Sequence, residues 1–337
     1  MRAMLLKKFA PIEQSPLELT ECAPPEPHEG ELLLKVDVCG VCRTDLHLVE
    51  GELLHAKLPI IPGHQIIGDV VKISGPVGNF QIGDRVGVAW LYETCGQCEF
   101  CRSGRENLCR EARFTSYDVD GGFAEFATVP AAFAYRINRN IPAENAAPLL
   151  CAGIVGYRAL RFACEDETKH LGIIGFGASA HIVIQVARFW GCDVYVFSRA
   201  KEHLAHARRL GAVWTGDLED DPPVKLQSII DFAPAGATVP AALEKLDRGG
   251  RLILAGIHMS PVPTLNYEKH LYHERQIRSV MAATRRDGQE LLDLAAEIPI
   301  NTDVEVFDLA DANTALQRLK ASQLKGSAVL TRISRIT

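Results

Sequence analysis

Four cysteines fall within fifteen residues of the segment CGQCEFCRSGRENLC. They are Cys95, Cys98, Cys101 and Cys109. Two-residue spacers allow neighbouring thiolates to converge on one ion, and the longer loop supplies a fourth sulfur, as tetrahedral structural zinc requires. Unliganded thiols at this density on a polar loop would be open to oxidation. The spacing therefore predicts a structural zinc site with four protein ligands. Such a site stabilises the loop and leaves no coordination position for a substrate.

A second motif, GFGASA at residues 175–180, stands between a strand pattern and a helix pattern. Gly175 and Gly177 match the first two positions of a dinucleotide fingerprint, where a tight turn and a close pyrophosphate exclude a Cβ atom. Ala180 takes the third position, at which the helix packs. A tight turn in any doubly wound sheet would carry similar residues, but the surrounding alternation of strands and helices favours dinucleotide binding.

The strand after this helix ends in VYVFSRA, which places Ser198 and Arg199 where the fingerprint normally carries a carboxylate for the adenosine ribose. Without that carboxylate a 2′-phosphate is not repelled, and Arg199 is able to pair with it through charge-assisted hydrogen bonds. We therefore expect NADP(H) to be favoured. The alternative is a solvated arginine at a strand end, with NAD(H) bound less selectively.

Other residues of metal-binding or proton-transfer type are scattered along GVCRTDLH, PGHQ and PLLCAG. They are Cys42, Arg43, Thr44, Asp45, His47, His64 and Cys151. Two cysteines and one histidine that leave a fourth position for water are typical of catalytic zinc. Spacing alone does not select such a trio here, because Cys39 and Cys42 form a CxxC that equally fits a redox pair or another cluster. Cys22, Cys164 and Cys192 are expected to be buried apolar residues.

The elements that carry these motifs differ along the chain. Up to about residue 150, short β-rich segments such as GELLLKVDVCGVC and QIIGDVVKIS are separated by turn residues. Strand and helix patterns then alternate, which predicts a parallel sheet with helices on both faces. That region reads KHLGIIGFGAS, ASAHIVIQVARFWG, CDVYVFSRA, KEHLAHARRLGA, SIIDFAP, VPAALEKLDRGG, RLILAGI and ERQIRSVMAA. Two helices, in RDGQELLDLAAEIP and DANTALQRLKASQ, precede a last strand in GSAVLTRI.

The bulk composition favours a small-molecule enzyme. A chain of 337 residues exceeds the usual size of one hydrophobic core, which predicts two domains. The net charge of −6 does not indicate binding to nucleic acid or to an anionic membrane surface, both of which attract basic proteins. The N-terminal MRAMLLKKFAPIEQ lacks the long apolar region of a secretory signal, and ten cysteines without such a signal do not indicate a disulfide framework. We expect a cytoplasmic protein.

The order of GVCRTDLH, PGHQ, the CxxCxxCx7C cluster, PLLCAG and GFGASAH resembles the zinc-dependent medium-chain alcohol dehydrogenases over essentially the whole chain. The resemblance implies an α/β protein. Its GroES-like, β-rich catalytic domain would comprise residues 1–150 and 285–337, with a Rossmann doubly wound parallel sheet at 151–284. Reversible hydride transfer between a primary or small secondary alcohol and NAD(P)+ is implied, with two zinc ions per chain. A homodimer or homotetramer is also implied, built partly by edge strands near RLILAGI.

The resemblance also implies roles for individual residues. Cys42, His64 and Cys151 would hold the catalytic zinc; Asp45 would orient His64; Thr44 and His47 would relay a proton; Arg43 would reach the cofactor pyrophosphate; and the four clustered cysteines would hold structural zinc. Trp90, in WLYETC, resembles a substrate-pocket aromatic residue, although a core tryptophan fits the sequence equally. Gln65 stands where the family usually has glutamate, so we expect a more electropositive zinc and slower exchange at its fourth position.

Three other functions share some of these sequence features. Polyol or sugar dehydrogenases of the same superfamily tend to carry glutamate where this chain has Cys151. A zinc-free quinone or enoyl reductase would leave His64 and the thiols without a role. A zinc-ribbon binding module would rest on the 95–109 cluster alone, and the acidic net charge and the dinucleotide turn weigh against it.

Overall fold

The computed structural model describes residues 1–53 and 56–331, which divide into two compact units. Unit 1 contains the chain up to Cys151 and the segment from Thr284 onward, and unit 2 contains Ala152–Ala283. The sequence analysis placed these divisions after residues 150 and 284. The mixed sheet of unit 1 and the parallel sheet of unit 2 confirm the predicted α/β class.

The N-terminal part of unit 1 is β-rich because apolar residues, many of them β-branched, run along its long strands. Strand β3 is buried along almost its whole length, because it pairs with strands on either side and contributes Leu32, Leu34 and Val36 to the hydrophobic core of unit 1. The strands are β1 (Arg2–Leu6), β2 (Leu17–Glu21), β3 (Glu31–Val41), β4 (Gln65–Ser74), β5 (Arg85–Val88), β6 (Leu91–Glu93), β7 (Arg113–Phe114), β8 (Phe126–Pro130) and β9 (Ala134–Arg136), and the helices are α1 (Arg43–Val49), α2 (Glu99–Arg102) and α3 (Ala143–Ala146).

Unit 2 is a doubly wound sheet in the strand order β12-β11-β10-β13-β14-β15, with every pairing parallel. The strand order reverses between β10 and β13, and ligands of such sheets bind outside the carboxyl ends of the strands at that point. The elements are α4 (Ala152–Ala163), β10 (His170–Ile174), α5 (Ala178–Phe189), β11 (Asp193–Phe197), α6 (Lys201–Arg209), β12 (Trp214–Gly216), β13 (Leu226–Asp231), α7 (Thr238–Lys245), β14 (Leu246–Leu254), α8 (Tyr267–His270) and β15 (Gln276–Ser279).

The last part of the chain returns to unit 1 and completes its large sheet. It contains α9 (Arg285–Glu297), β16 (Val304–Asp308), α10 (Ala312–Lys320) and β17 (Ser327–Thr331). Strand β17 pairs antiparallel with β3, next to the residues that lead into α1. The sheet order is β16-β17-β3-β4-β5-β9, and β8 also pairs with β3.

Several details of the sequence analysis are wrong. The helix predicted in VPAALEKLDRGG ends at Lys245, because Leu246 starts β14 and Gly249 turns with a φ of +69°. The strand in RLILAGI is not an edge, since β14 pairs with both β13 and β15. Cys22 is exposed and Cys164 is half-buried, while Cys192 is buried as expected. Strands β1, β2, β6, β7, β9, β12 and β16 lie outside the segments that the sequence analysis named as strands.

The apolar segment 171–190, which is long enough to cross a bilayer, forms most of β10, a turn and helix α5. In the part of the chain that the structure describes, no single helix is both long and apolar enough to cross a membrane. The bent pair Ala143–Leu150 and Ala152–Ala163 passes that test only when its two helices are taken together.

Candidate functional site

Cys42 lies between β3 and α1, where it caps the helix. Its Sγ accepts a hydrogen bond from the amide of Thr44 (3.3 Å), and the carboxylate of Asp45 accepts one from the amide of Cys42 (2.9 Å). Both bonds satisfy amides that the start of a helix leaves unpaired. The cap therefore holds the thiol and the carboxylate where the chain leaves the sheet.

His64 immediately precedes β4 and is fully buried beside Asp45. Oδ1 of Asp45 lies 3.2 Å from His64 Nδ1 and accepts a hydrogen bond from the amide of Gly63 (3.1 Å). Gly63 has a φ of +95°, and a Cβ there would lie 2.4 Å from the Phe123 ring. Only glycine fits this turn, so the chain is forced to present the imidazole with Nε2 3.3 Å from Cys42 Sγ.

Cys151 completes a three-donor set, although 109 residues separate it from Cys42. It follows a short 3-10 turn at Ala147–Leu150, and its Sγ lies 3.9 Å from that of Cys42. The three donor atoms, from Cys42, His64 and Cys151, all lie within 4.8 Å of one another. Two sulfurs bound to one tetrahedral zinc stand about 3.8 Å apart. The donor set and its spacing fit a zinc ion with one further coordination position.

The three donor side chains shift one another's pKa values. Burial opposes ionisation of Cys42, but the hydrogen bond from Cys151 and the charge of His64 outweigh it and hold the Cys42 pKa well below its usual value. Burial also opposes protonation of His64, yet the adjacent Cys42 thiolate and Asp45 carboxylate raise its pKa to about 10. The hydrogen bond to Cys42, followed by burial, raises the Cys151 pKa. A thiolate facing a cationic imidazole has the charge separation that a divalent metal replaces on binding.

The four clustered cysteines converge as their spacing predicts. The Sγ–Sγ distances are 3.5 Å for Cys98–Cys101, 3.5 Å for Cys95–Cys109 and 3.9 Å for Cys95–Cys101. All four sulfurs lie within 4.8 Å of one another. Hydrogen bonds from the amides of Gln97 and Cys98 lower the pKa of Cys95 to about 7, which favours the thiolate that metal binding needs. The set fits a four-sulfur zinc site, and Cys39, buried in β3, belongs to neither group.

Helix α1 carries the residues expected to move the proton. Thr44 is buried beside Cys42, and Arg43 is exposed on the first turn. Nδ1 of His47 is in close contact with the carboxylate of Glu52, whose amide also donates to the His47 carbonyl (2.9 Å). The contact forms because the chain turns back at Gly51, which has a φ of +77°.

The expected dinucleotide residues lie in unit 2, at the carboxyl edge of its sheet. Gly175 has a φ of +78° in the turn after β10, and a Cβ there would lie 3.4 Å from the amide nitrogen of Ala233. A Cβ on Gly177 would meet no protein atom within 4 Å. Gly177 caps α5 without a side-chain hydrogen bond, so the first-turn amides of a twelve-residue helix are available to an anion. Ala180 is fully buried.

Ser198 and Arg199 directly follow β11. Ser198 Oγ accepts a hydrogen bond from the amide of Ala200 (3.3 Å) and lies 3.4 Å from Nδ1 of His203. Arg199 is exposed, and Lys201 opens helix α6 beside it. One hydroxyl and two cationic side chains therefore follow the end of this strand, and Glu202 is the acidic residue in the first turn of α6.

Trp90 is half-buried and lies edge-on to His64, with 5.1 Å between ring centroids. Two aromatic rings that the sequence analysis did not select, Phe114 and Tyr117, lie against Trp90. Glu52 and His203 were also missed. No sequence motif identifies Phe114, Tyr117, Glu52 or His203. The contact that each of them makes depends on how a turn folds.

Two models of known protein families match the chain. The family model described as "Alcohol dehydrogenase GroES-like domain" matches residues 28–139, and "Zinc-binding dehydrogenase" matches residues 180–297. The chain is 46% identical to the probable alcohol dehydrogenase AdhA of Mycobacterium tuberculosis over 335 residues, which cover 98% of this chain and 97% of that protein.

Two solved structures are similar along nearly the whole chain. The alcohol dehydrogenase of the archaeon Aeropyrum pernix has a TM-score of 0.86 at 28% identity, covering 98% of this chain and 100% of that one. The acetophenone reductase of Geotrichum candidum, in complex with NAD, has a TM-score of 0.88 at 26% identity, with coverages of 99% and 98%.

Proposed function

Because this chain belongs to the zinc-type family of medium-chain alcohol dehydrogenases, we propose that it transfers hydride reversibly between a primary or small secondary alcohol and NAD(P)+. The observation that carries the proposal is the trio of Cys42, His64 and Cys151, whose donor atoms lie within 4.8 Å of one another, with His64 fully buried and the two cysteines half-buried. A thiol at position 151 supports an alcohol dehydrogenase over a polyol dehydrogenase, because polyol dehydrogenases of the superfamily tend to carry glutamate at this position.

In this proposal the trio holds a catalytic zinc ion, and the four clustered cysteines hold a structural one. A catalytic zinc supplies Lewis acidity to an alcohol or aldehyde oxygen. The carboxylate of Asp45 bonds to His64 Nδ1, which keeps Nε2 directed at the metal position. The four-sulfur set has no free position and stabilises the 95–109 loop.

The alcohol proton leaves through α1. The hydroxyl of Thr44, two residues beyond a proposed metal ligand, accepts the alcohol proton as it releases its own, and the imidazole of His47 carries the released proton to solvent by positioned acid–base transfer. Since Glu52 engages Nδ1, the Nε2 atom of His47 is the one that receives it. Trp90, edge-on to His64, lines the substrate position.

A nicotinamide cofactor would supply the acceptor for the hydride, and the dinucleotide motif of unit 2 would hold it. The tight turn at Gly175, the open face of Gly177 and the packed Ala180 support pyrophosphate binding at the start of α5. Arg43, exposed in unit 1, is the further residue proposed for the pyrophosphate. Ser198 and Arg199 favour NADP(H), because a 2′-phosphate gains charge-assisted hydrogen bonds where NAD(H) would need a carboxylate.

We propose a cytoplasmic homodimer or homotetramer that binds neither nucleic acid nor membrane. The support for an oligomer is β15, an end strand of the described unit 2 sheet whose four residues are all exposed. Its Ile277 and the following Met281 present apolar surface beside unpaired strand edges.

Metal analysis combined with cofactor assays tests the proposal. We expect two zinc ions per chain and oxidation of alcohols faster with NADP+ than with NAD+. One zinc ion with polyol oxidation, or no zinc with quinone reduction, would replace the proposal by the corresponding alternative. One zinc ion and no binding of either cofactor would leave only a zinc-ribbon module.

A further inference from the structure

A cleft of about 490 Å³ lies in unit 1 between the start of β5, the segment that follows β9, and helix α9. Three arginines contribute to its lining: Arg85, Arg136 and Arg139. The strand pairing brings them together, because Val86 pairs with Arg136 and the amide of Ile137 donates to the Arg85 carbonyl (3.1 Å). None of the described residues that line this cleft is a proposed ligand of zinc or of the cofactor.

Two of the three arginines already have carboxylate partners. Nη1 of Arg136 donates to Oδ2 of Asp84 (2.7 Å), and Nη2 of Arg139 donates to Oδ1 of Asp69 (2.9 Å). Each of these arginines also donates to a backbone carbonyl at 2.6 Å. Arg136 and Arg139 are therefore held in place, and their positive charges are neutralised by the protein itself.

Arg85 differs from the other two arginines because its acceptor is neutral. Its Nη1 donates to the carbonyl of Ile141 (3.1 Å), and its Nε is buried without a hydrogen bond. In the part of the chain that the structure describes, no carboxylate pairs with its guanidinium. A guanidinium keeps its charge at neutral pH, and its planar fork matches the two oxygens of a carboxylate. The half-buried Arg85 is therefore a cation that an added carboxylate would complete.

Helix α9 gives the cleft an apolar side and one negative charge. Leu292 and Ala296 line the cleft from this helix, and Ile137 adds a third apolar side chain. Asp293, exposed between them, accepts a hydrogen bond from Nε2 of Gln289 (2.7 Å). One unpaired cation suits a ligand with a single negative charge, because the second charge of a dianion would face Asp293 without a cation of its own.

We propose that this cleft binds a small organic monocarboxylate, with the carboxylate on Arg85 and an apolar group against Leu292 and Ala296. Its volume is large enough for a ligand with a short alkyl chain or a ring. Charge-assisted hydrogen bonds from the guanidinium supply the polar contact, and burial of the apolar group adds affinity. The inference does not depend on the proposed alcohol oxidation, so either one is able to fail while the other stands.

The first test is calorimetric titration of the wild-type protein with hexanoate, acetate, inorganic phosphate and hexylammonium. We expect hexanoate to bind at least about 10-fold more tightly than acetate, because its longer chain buries additional methylene groups. Phosphate and hexylammonium should bind more weakly than hexanoate. No binding of hexanoate, or equal binding of hexanoate and any of the other three probes, would overturn the inference.

A carboxylate also has affinity for zinc, so the location of binding needs its own control. The variant C151S lacks one thiol of the proposed zinc trio and leaves the cleft intact. Hexanoate should bind to C151S as it does to the wild-type protein. Loss of hexanoate binding in folded C151S would place the ligand at the metal and overturn the inference.

The second test changes charges in the cleft. R85M should weaken hexanoate binding by at least about 10-fold, the value of charge-assisted hydrogen bonds to one guanidinium. D293N should strengthen binding and A296E should weaken it, each by about 2- to 5-fold, since both positions are exposed and lie on the cleft.

The matched control is E297Q, which removes a charge from an exposed position of the same helix outside the described lining of the cleft. Hexanoate affinity in E297Q should equal that of the wild-type protein. If R85M does not fold, the opposite shifts of D293N and A296E decide the outcome. Unchanged affinity in folded R85M, or the same change in D293N and E297Q, would overturn the inference.

Discussion

The carboxylate of Glu52 engages Nδ1 of His47, five residues earlier, across the turn that ends α1. The bond fixes the imidazole and leaves Nε2 as its basic atom. Replacing Glu52 by glutamine should lower kcat at neutral pH by up to about 100-fold, because the proton relay loses its orientation. E52D should restore part of the rate. The check is kcat across pH with zinc content measured in parallel, and unchanged kcat in E52Q would remove Glu52 from the relay.

Asp45 should control metal retention at one site only. Its carboxylate bonds to Cys42, Gly63 and His64, so D45N should weaken zinc binding at the trio about 10- to 100-fold. Titration with a chelator should then remove one of two zinc ions early, and activity should disappear with it. Simultaneous loss of both ions from D45N would show that Asp45 supports the fold rather than the site.

Substitutions in the two cysteine sets should affect different properties: thermal stability for the four-sulfur cluster and activity for the trio. C98S should lose one zinc ion and lower Tm by roughly 5 to 10 °C, because the four-sulfur site holds a loop together. C151S should also lose one zinc ion, abolish alcohol oxidation and change Tm less. C22S is the control, since Cys22 is exposed and outside both sets. Full activity in C151S would contradict the assigned catalytic trio.

Arg199 should govern cofactor preference. R199A should reduce the ratio of kcat/KM for NADP+ over NAD+ by about 10- to 100-fold, the value of a charge-assisted hydrogen bond to the 2′-phosphate. R209A provides a control at the exposed end of α6 in the same unit. An equal effect of both variants would reflect general charge, and no effect of R199A would favour NAD(H) binding without selection.

Asp231 should make stability depend on pH. It is fully buried at the end of β13, and burial raises its pKa to about 6 despite hydrogen bonds from Thr238 and Ala233. A carboxyl group with a raised pKa binds protons more tightly in the folded state. Its contribution to the free energy of unfolding therefore falls by about 3 kcal/mol as pH rises from about 4 to 6.

The variant D231N keeps the shape of the side chain but does not titrate. Chemical denaturation at several pH values between 4 and 7 should give a free energy of unfolding for D231N that rises relative to wild type as pH increases. Parallel curves for the two proteins would show that Asp231 has an ordinary pKa.

Elements with strong local patterns were predictable, and those that depend on a distant partner were not. Strand β16, VEVFD, is only partly buried and shows no alternation of buried and exposed residues, so its pairing with β17 is invisible until the sheet forms. The sequence analysis predicted a helix that continues past Lys245. In the structure this segment is strand β14, because Gly249 breaks the helix and β14 pairs with β13. Tertiary pairing overrides a weak local preference in such segments.

The sequence by itself determined the four-sulfur cluster and the glycine turn, because ligands two residues apart and a turn between strand and helix depend on local chain geometry. It named Cys42, His64 and Cys151 only through family resemblance. The tertiary structure decided that these three meet, because β3 and β4 are neighbours and the turn before Cys151 delivers the third donor. The partners Glu52, Phe114 and Tyr117 were likewise decided by turns, since side-chain contacts across a turn depend on where the surrounding sheet and helix hold its two ends.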